Sequence, residues 1–151
     1  MLRTKTILEQ KRRRGRNKVN TKLIFYHNNI NGFKSKCGSL KIVVSENRPD
    51  VISVNEVKAV SSPFLKQYFR ELGYEVIVKK EGGLLIAAKS HLKLKNVTSS
   101  SHPRILVGRI STKEMILNII GAYGLQETDG IEERRDFFNE LSIEIEACVN
   151  P

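Results

Sequence analysis

Three pairs of polar residues close apolar, strand-like runs: Asn29 with Asn31, Glu56 with Lys58, and Tyr123 with Gln126. The ends of sheet strands are where α/β proteins place their ligands. One carboxylate with amide oxygens beside it suits Mg²⁺, which takes oxygen ligands, keeps several waters and is usually held by one or two protein carboxylates plus substrate phosphate. Each residue also has a plain structural use. Asn31 and Gly32 can form a turn that needs positive φ, Glu56 can be a solvated strand end, and Tyr123 can be an amphipathic aromatic with its hydroxyl at the surface. Spacing alone does not bring the three pairs together.

The elements that must position them are readable from periodicity. Lys22 to Tyr26 (KLIFY) is a β-prone run that ends in the polar cluster around Asn29. Leu40, Val43 and Val44 recur at helical spacing between Lys36 and Asn47, and Pro49 prevents continuation. Asp50 to Val57 is a short β-branched strand. Ser62 can cap the next helix with Pro63 in its first turn; Phe64, Leu65, Tyr68, Phe69 and Leu72 form its apolar face, and Gly73 stops it. Four further strands are expected at Glu75–Lys79, Gly83–Lys89, Ile105–Ile110 and Met115–Tyr123, the first two joined by a hairpin through Gly82 and Gly83. Asp129 and Glu132 resemble a capping box before a helix whose apolar face would be Phe137, Phe138, Leu141, Ile145 and Cys148. Crossover units mixed with hairpins predict an α/β fold in which a mixed sheet is flanked by helices.

Charge is unevenly placed within a net +10. Residues 1–22 hold nine Lys or Arg against Glu9 alone, whereas residues 126–151 hold eight carboxylates against Arg134 and Arg135. The expected division is a basic, disordered arm over 1–21 and one partial domain over 22–151. Positive charge on arm and body favours a polyanion, nucleic acid first, because each Lys or Arg that meets a phosphate releases counterions. The run KRRRGR at 11–16 fits a solvated tail as well as DNA gripping or nuclear targeting. No apolar run is long enough to span a bilayer, and no apolar stretch follows the basic start as a signal peptide would require, so the expectation is an intracellular protein without a membrane partner. Cys37 and Cys148 lie far apart without metal-site spacing and read as reduced thiols, Cys148 as a small core hydrophobe.

The runs HNNINGFKSK at 27–36, RPDVISVNEVK at 48–58, GGLLIAAK at 82–89 and IIGAYGLQE at 119–127 resemble, in order and spacing, the endonuclease/exonuclease/phosphatase superfamily. The likeness is greatest to the apurinic-type endonuclease domains of non-LTR retrotransposons and covers about residues 22–150. It implies the amino-terminal part of a four-layer α/β sandwich and Mg²⁺-dependent hydrolysis of DNA phosphodiesters, with Mn²⁺ as the second choice of metal. Glu56 would be the main metal carboxylate and Asn29 would orient a metal-bound water or the phosphate. Tyr123 would bond the scissile phosphate, Asn31 would offer an amide oxygen, and Lys58 or Gln126 would help hold the phosphate. Partners would be DNA and either the remaining half of the domain or a larger reverse-transcriptase polyprotein. The chain departs from the pattern in two ways. Asn28 replaces an aromatic residue, and the family's Gly-Asp-x-Asn, later Asp and Ser-Asp-His segments, expected after the last helix, are not matched. His27, His91 and His102 all precede Tyr123, and none matches the family's catalytic histidine. The alternative to a nuclease is a non-catalytic nucleic-acid-binding remnant of one.

Overall fold

The computed structural model describes residues 4–10 and 21–149. Two sheets lie face to face between helices. The first sheet comprises β1 (Thr4–Gln10), β2 (Thr21–Asn29), β3 (Val51–Asn55), β4 (Tyr74–Lys79) and β5 (Leu84–Lys89), in the order β1-β2-β3-β5-β4. Its β2–β3 pair is parallel and its other pairs are antiparallel, so the sheet is mixed as expected. The second sheet comprises β6 (Lys95–Asn96), β7 (Ile105–Ser111) and β8 (Ile116–Ala122), all antiparallel, in that order.

Alternation along the strands sorts side chains into three apolar layers. Ile52, Val54, Leu85 and Ala87 pack outward against α1 (Phe33–Asn47) and α2 (Ser62–Glu71). Val51, Leu84, Ile86 and Ala88 face Leu106 and Ile110 of the second sheet. Ile105 and Val107 turn the other way, to Phe137 on α3 (Ile131–Val149). Helices, sheet, sheet and helix are the four layers of the expected sandwich.

Several elements differ from the sequence reading, each for a local reason. Thr4–Gln10 pairs antiparallel with β2 along its whole length, where a disordered arm was expected; three β-branched residues in TKTILEQ favour extended backbone. The basic run at 11–16 lies outside the described residues. The helix α1 begins at Phe33, three residues early, because Gly32 at φ 107° turns the chain directly out of the polar cluster. Ser61, not Ser62, caps α2 by accepting from the Phe64 N–H at 3.4 Å. Asp129 does not form a capping box: its Oδ2 accepts from the Gln126 N–H at 2.6 Å, closing the turn before α3, and Glu132 pairs with Arg135. On α3 the buried face holds Phe137, Leu141, Glu144 and Cys148, while Phe138 and Ile145 are exposed. Glu144 displaces Ile145 because its Oε1 accepts from the N–H groups of Ser99 and Ser100 at 2.7 and 2.5 Å and from the Ser99 hydroxyl at 2.9 Å. The buried Ser100 N–H and the part-buried Ser99 N–H need an acceptor, and no apolar side chain provides one.

Candidate active site

The site is assembled at one end of the sandwich, where β2, β3 and β8 run out. The loop after β3 is bent sharply: Glu56 has φ 57° and Lys58 φ 50°, left-handed values that cost most residues on the order of 1 kcal/mol. Backbone hydrogen bonds hold it there. The carbonyls of Glu56 and Val57 accept from the N–H groups of Gly32 and Phe33 at 2.8 and 2.9 Å, which satisfies donors at the start of α1 that have no side-chain cap. From the other side the Val57 N–H donates to the Gly83 carbonyl at 3.0 Å. Gly83 is at φ 64°, and a Cβ there would sit 3.4 Å from the Glu56 Cα. Gly82 presses on the backbone of Pro103, where a Cβ would fall 1.6 Å from the carbonyl oxygen. The double glycine thus lets the β4–β5 hairpin lie flat between the Glu56 loop and the segment before β7.

Three of the sequence-predicted residues meet on one atom. Oε1 of Glu56 accepts from Asn29 Nδ2 at 3.0 Å and from the Tyr123 hydroxyl in a short contact. Asn29 is oriented by its other end, since its Oδ1 accepts from the Asn31 N–H at 3.3 Å. Two donors on the ionised form, Tyr123 above Asn29, hold the Glu56 carboxyl below its ordinary range, with Lys58 adding attraction and partial burial opposing. The same bond to Glu56 raises the Tyr123 phenol, so the hydroxyl keeps its proton. A second pair forms alongside, Lys58 Nζ donating to Asn31 Oδ1. Gln126 is not drawn into this cluster: it is exposed and engages Asp129 through its backbone.

Two residues escaped the sequence reading. Arg104 lies with its guanidinium 5.1 Å from the centroid of the Tyr123 ring and donates to the Gly124 carbonyl at 3.0 Å, while its own carbonyl accepts from the Tyr123 N–H at 3.1 Å. Asn55 is the register partner of Asn29, is buried, and has an amide oxygen without a hydrogen-bond partner among the described residues. No sequence signal marks Arg104, which reaches Tyr123 only because β7 and β8 pair. Asn55 could have been found as a polar residue ending a fully buried strand. Asn28 takes the place of the expected aromatic: it is buried and donates to the Tyr26 hydroxyl at 3.1 Å, beside a cleft of about 190 Å³.

Among the described residues no three His, Cys, Asp or Glu side chains converge as a metal cluster. What the site offers is a single carboxylate whose two donors both fall on Oε1, and, on the preceding residue of the chain, the unsatisfied Asn55 amide oxygen. That donor set fits a hard, hydrated cation that completes its shell with water and phosphate, and does not fit a soft metal.

This geometry sits on a fold met in DNA-processing nucleases. The chain superposes on a 3′ phosphatase, NExo, from Neisseria bound to product DNA hairpin with a TM-score of 0.64 at 12% identity, covering 82% of this chain and 51% of that one. An AP endonuclease from Archaeoglobus fulgidus gives 0.60 at 20% identity, with 78% and 48% covered. A 3′-5′ exonuclease, NExo, from Neisseria meningitidis gives 0.62 at 13%, with 80% and 50% covered. The likeness is one of fold. The chain spans about half the length of each of these structures. No family model matches the sequence, and no curated protein matches it.

Proposed function

We propose that the chain builds the cation-binding and phosphate-binding part of a DNA phosphodiesterase site of the retrotransposon endonuclease type. The observation that carries this reading is the convergence of Glu56, Asn29 and Tyr123 on one carboxylate oxygen, at the sandwich end where two sheets meet. Mg²⁺, or Mn²⁺ in its place, would rest on the Glu56 carboxylate with amide oxygen from Asn55 or Asn29, and when bound would polarise a phosphoryl oxygen and acidify a water. The chain's own groups do the rest of the positioning. Asn29 and Tyr123 fix the rotamer of Glu56 and keep it ionised. The Lys58 ammonium and the Arg104 guanidinium are donors suited to the negative charge that builds on a phosphate under attack, and the Tyr123 hydroxyl would join them only by turning its one proton from Glu56 to the phosphate. A base to activate water is not among the assembled groups. His102 accepts from the Arg104 N–H through Nδ1, and His91 lines a cleft formed with the carboxy-terminal ends of α1 and α2.

The test is plasmid nicking in Mg²⁺ by the chain joined to a nuclease second half that carries Gly-Asp-x-Asn and Ser-Asp-His segments. Nicking abolished by Glu56→Gln is expected; nicking that survives this substitution would overturn the assignment. The net charge of +10 also supports a purely binding role. Under that reading, DNA affinity would be the same with Mg²⁺ or EDTA and unchanged by Glu56→Gln.

A further inference from the structure

Tyr123 is the first residue past the β7–β8 ladder, whose last pair is Ile105 with Ala122. Its place therefore depends on Arg104, whose carbonyl accepts from the Tyr123 N–H at 3.1 Å and whose guanidinium donates to the Gly124 carbonyl at 3.0 Å, 5.1 Å from the Tyr123 ring centroid. Arg104 is held in turn by a line of groups that starts on the outer helix. Glu140 Oε2 on α3 accepts from the Ser100 hydroxyl at 2.8 Å, and the Ser100 Oγ accepts from the His102 N–H at 3.0 Å. The His102 ring stands edge-on to Phe137 of α3, with centroids 5.3 Å apart, and its Nδ1 accepts from the Arg104 N–H at 3.2 Å. From the first sheet, Lys79 Nζ donates to the Ser100 carbonyl at 2.9 Å. The line runs from a carboxylate on α3 to the carboxylate of Glu56, and His102 is the side chain in it to which the function described so far gives no part.

We propose that His102 is a positioning residue of the Glu56 site, fixing through the Arg104 backbone where the Tyr123 hydroxyl stands. What that placement serves rests on the function proposed above; the placement itself does not. The chemistry of the ring decides the role. An Nδ1 that accepts from an N–H carries no proton, so the neutral ring holds its proton on Nε2. The His102 carbonyl is already engaged by the Ile105 N–H at 3.2 Å, so the backbone closes the turn at 102–105 and the ring takes the Arg104 N–H inside it. Deprived of this acceptor, the part-buried N–H would turn toward another, and with it the Arg104 backbone whose carbonyl holds the Tyr123 N–H. Packing on Phe137 and accepting from Arg104 are separable. Leucine can do the first alone, and asparagine the second, because its side-chain oxygen commonly bonds the N–H two residues on.

Carbon-detected titration of the tyrosines at alkaline pH reads the placement on the chain alone, so its outcome stands apart from whether DNA is cleaved. The bond to Glu56 raises the Tyr123 phenol above 10.0. In His102→Leu the Tyr123 midpoint should fall toward 10.0, and in His102→Asn it should stay near that of the parent. In the chain joined to a nuclease second half, His102→Leu should lower kcat for nicking about tenfold with DNA affinity unchanged, and His102→Asn should restore it. A role confined to packing predicts the reverse order, with the leucine variant unchanged and the asparagine variant shifted. That order, or a Tyr123 midpoint unmoved in both folded variants, overturns the proposal. Circular dichroism checks the fold of each variant, and nitrogen-detected spectra of the parent need no variant: a neutral His102 with its proton on Nδ1 would overturn the proposal as well.

Discussion

The Tyr123 hydroxyl donates to Glu56 Oε1 across 67 residues of sequence and between the two sheets of the sandwich. Glu56 stands on a loop of the first sheet and Tyr123 just past the last strand of the second, so the contact reports whether the sheets have closed on each other. It also sets the charge of the site, because a donor on the carboxylate favours the ionised acid and the protonated phenol together.

The pH behaviour of this pair follows with defined signs. Glu56 is lowered from 4.5, so its contribution is present above that value and is lost as pH falls through the lower folded value. Tyr123 is raised from 10.0, so its contribution is present below that value and is lost as pH rises through the higher folded one. The bond should hold over the whole neutral range. A carbon-detected titration of Glu56 should show a depressed midpoint that moves up in Tyr123→Phe, and by less in Asn29→Leu. A Glu56 midpoint unmoved in Tyr123→Phe would show that the contact does not form in solution.

The two hairpin glycines should tolerate alanine unequally. At Gly83 the cost is chiefly the left-handed backbone, on the order of 1–2 kcal/mol, with a Cβ 3.3 Å from the Val57 nitrogen. At Gly82 the Cβ would fall 1.6 Å from the Pro103 carbonyl oxygen, so the hairpin or the segment before β7 must move. Gly82→Ala should therefore lose more than about 2 kcal/mol, as overpacking against backbone does. Urea denaturation of the two variants would measure this, and equal losses would contradict the packing described.

How much of this was legible beforehand depends on what each residue's role rests on. Glu56, Asn29 and Tyr123 stood out because each closes an apolar strand, and strand ends in a layered fold converge. Arg104 did not, because its role exists only through pairing of β7 with β8, with Ile105 opposite Ala122. The strand β6 has two exposed residues and no pattern to read. The buried face of α3 was misjudged by one position for a different reason. Hydrophobicity favours Phe138 and Ile145, but the Ser99 and Ser100 N–H groups required a carboxylate, which rotates the helix to bury Glu144. Helical periodicity reports apolar burial and is blind to such a polar demand.

Glu144 is accordingly expected to matter for stability more than any surface acid. It is 2% exposed and one oxygen takes three donors. Glu144→Ala would strand the buried Ser100 N–H and the part-buried Ser99 N–H and should cost about 1–3 kcal/mol. The segment it anchors continues into Pro103 and Arg104, so the Tyr123 ring should also lose its cation, visible as a change in the Tyr123 ring resonances. Glu144→Gln keeps an acceptor oxygen and should lose less. If Glu144→Ala denatures at the same urea concentration as the parent, the clasp contributes nothing.

The role of the basic arm needs a variant that leaves the sheet intact. Deleting residues 1–22 would remove β1 and bare the edge of β2, so any loss of DNA binding would be ambiguous. Replacing Lys11, Arg12, Arg13, Arg14 and Arg16 by glutamine removes five charges and keeps Thr4–Gln10. If those side chains meet phosphates, the logarithm of the binding constant should fall less steeply with the logarithm of salt, by up to about 0.9 for each phosphate no longer neutralised. The parent and the substituted chain would be compared on one duplex at several salt concentrations. A parallel pair of lines would place the phosphate-binding charges on the body instead, where Lys58 and Arg104 flank the Glu56 site. A slope reduced by several units would make the arm the main electrostatic grip, with the site adding position more than affinity.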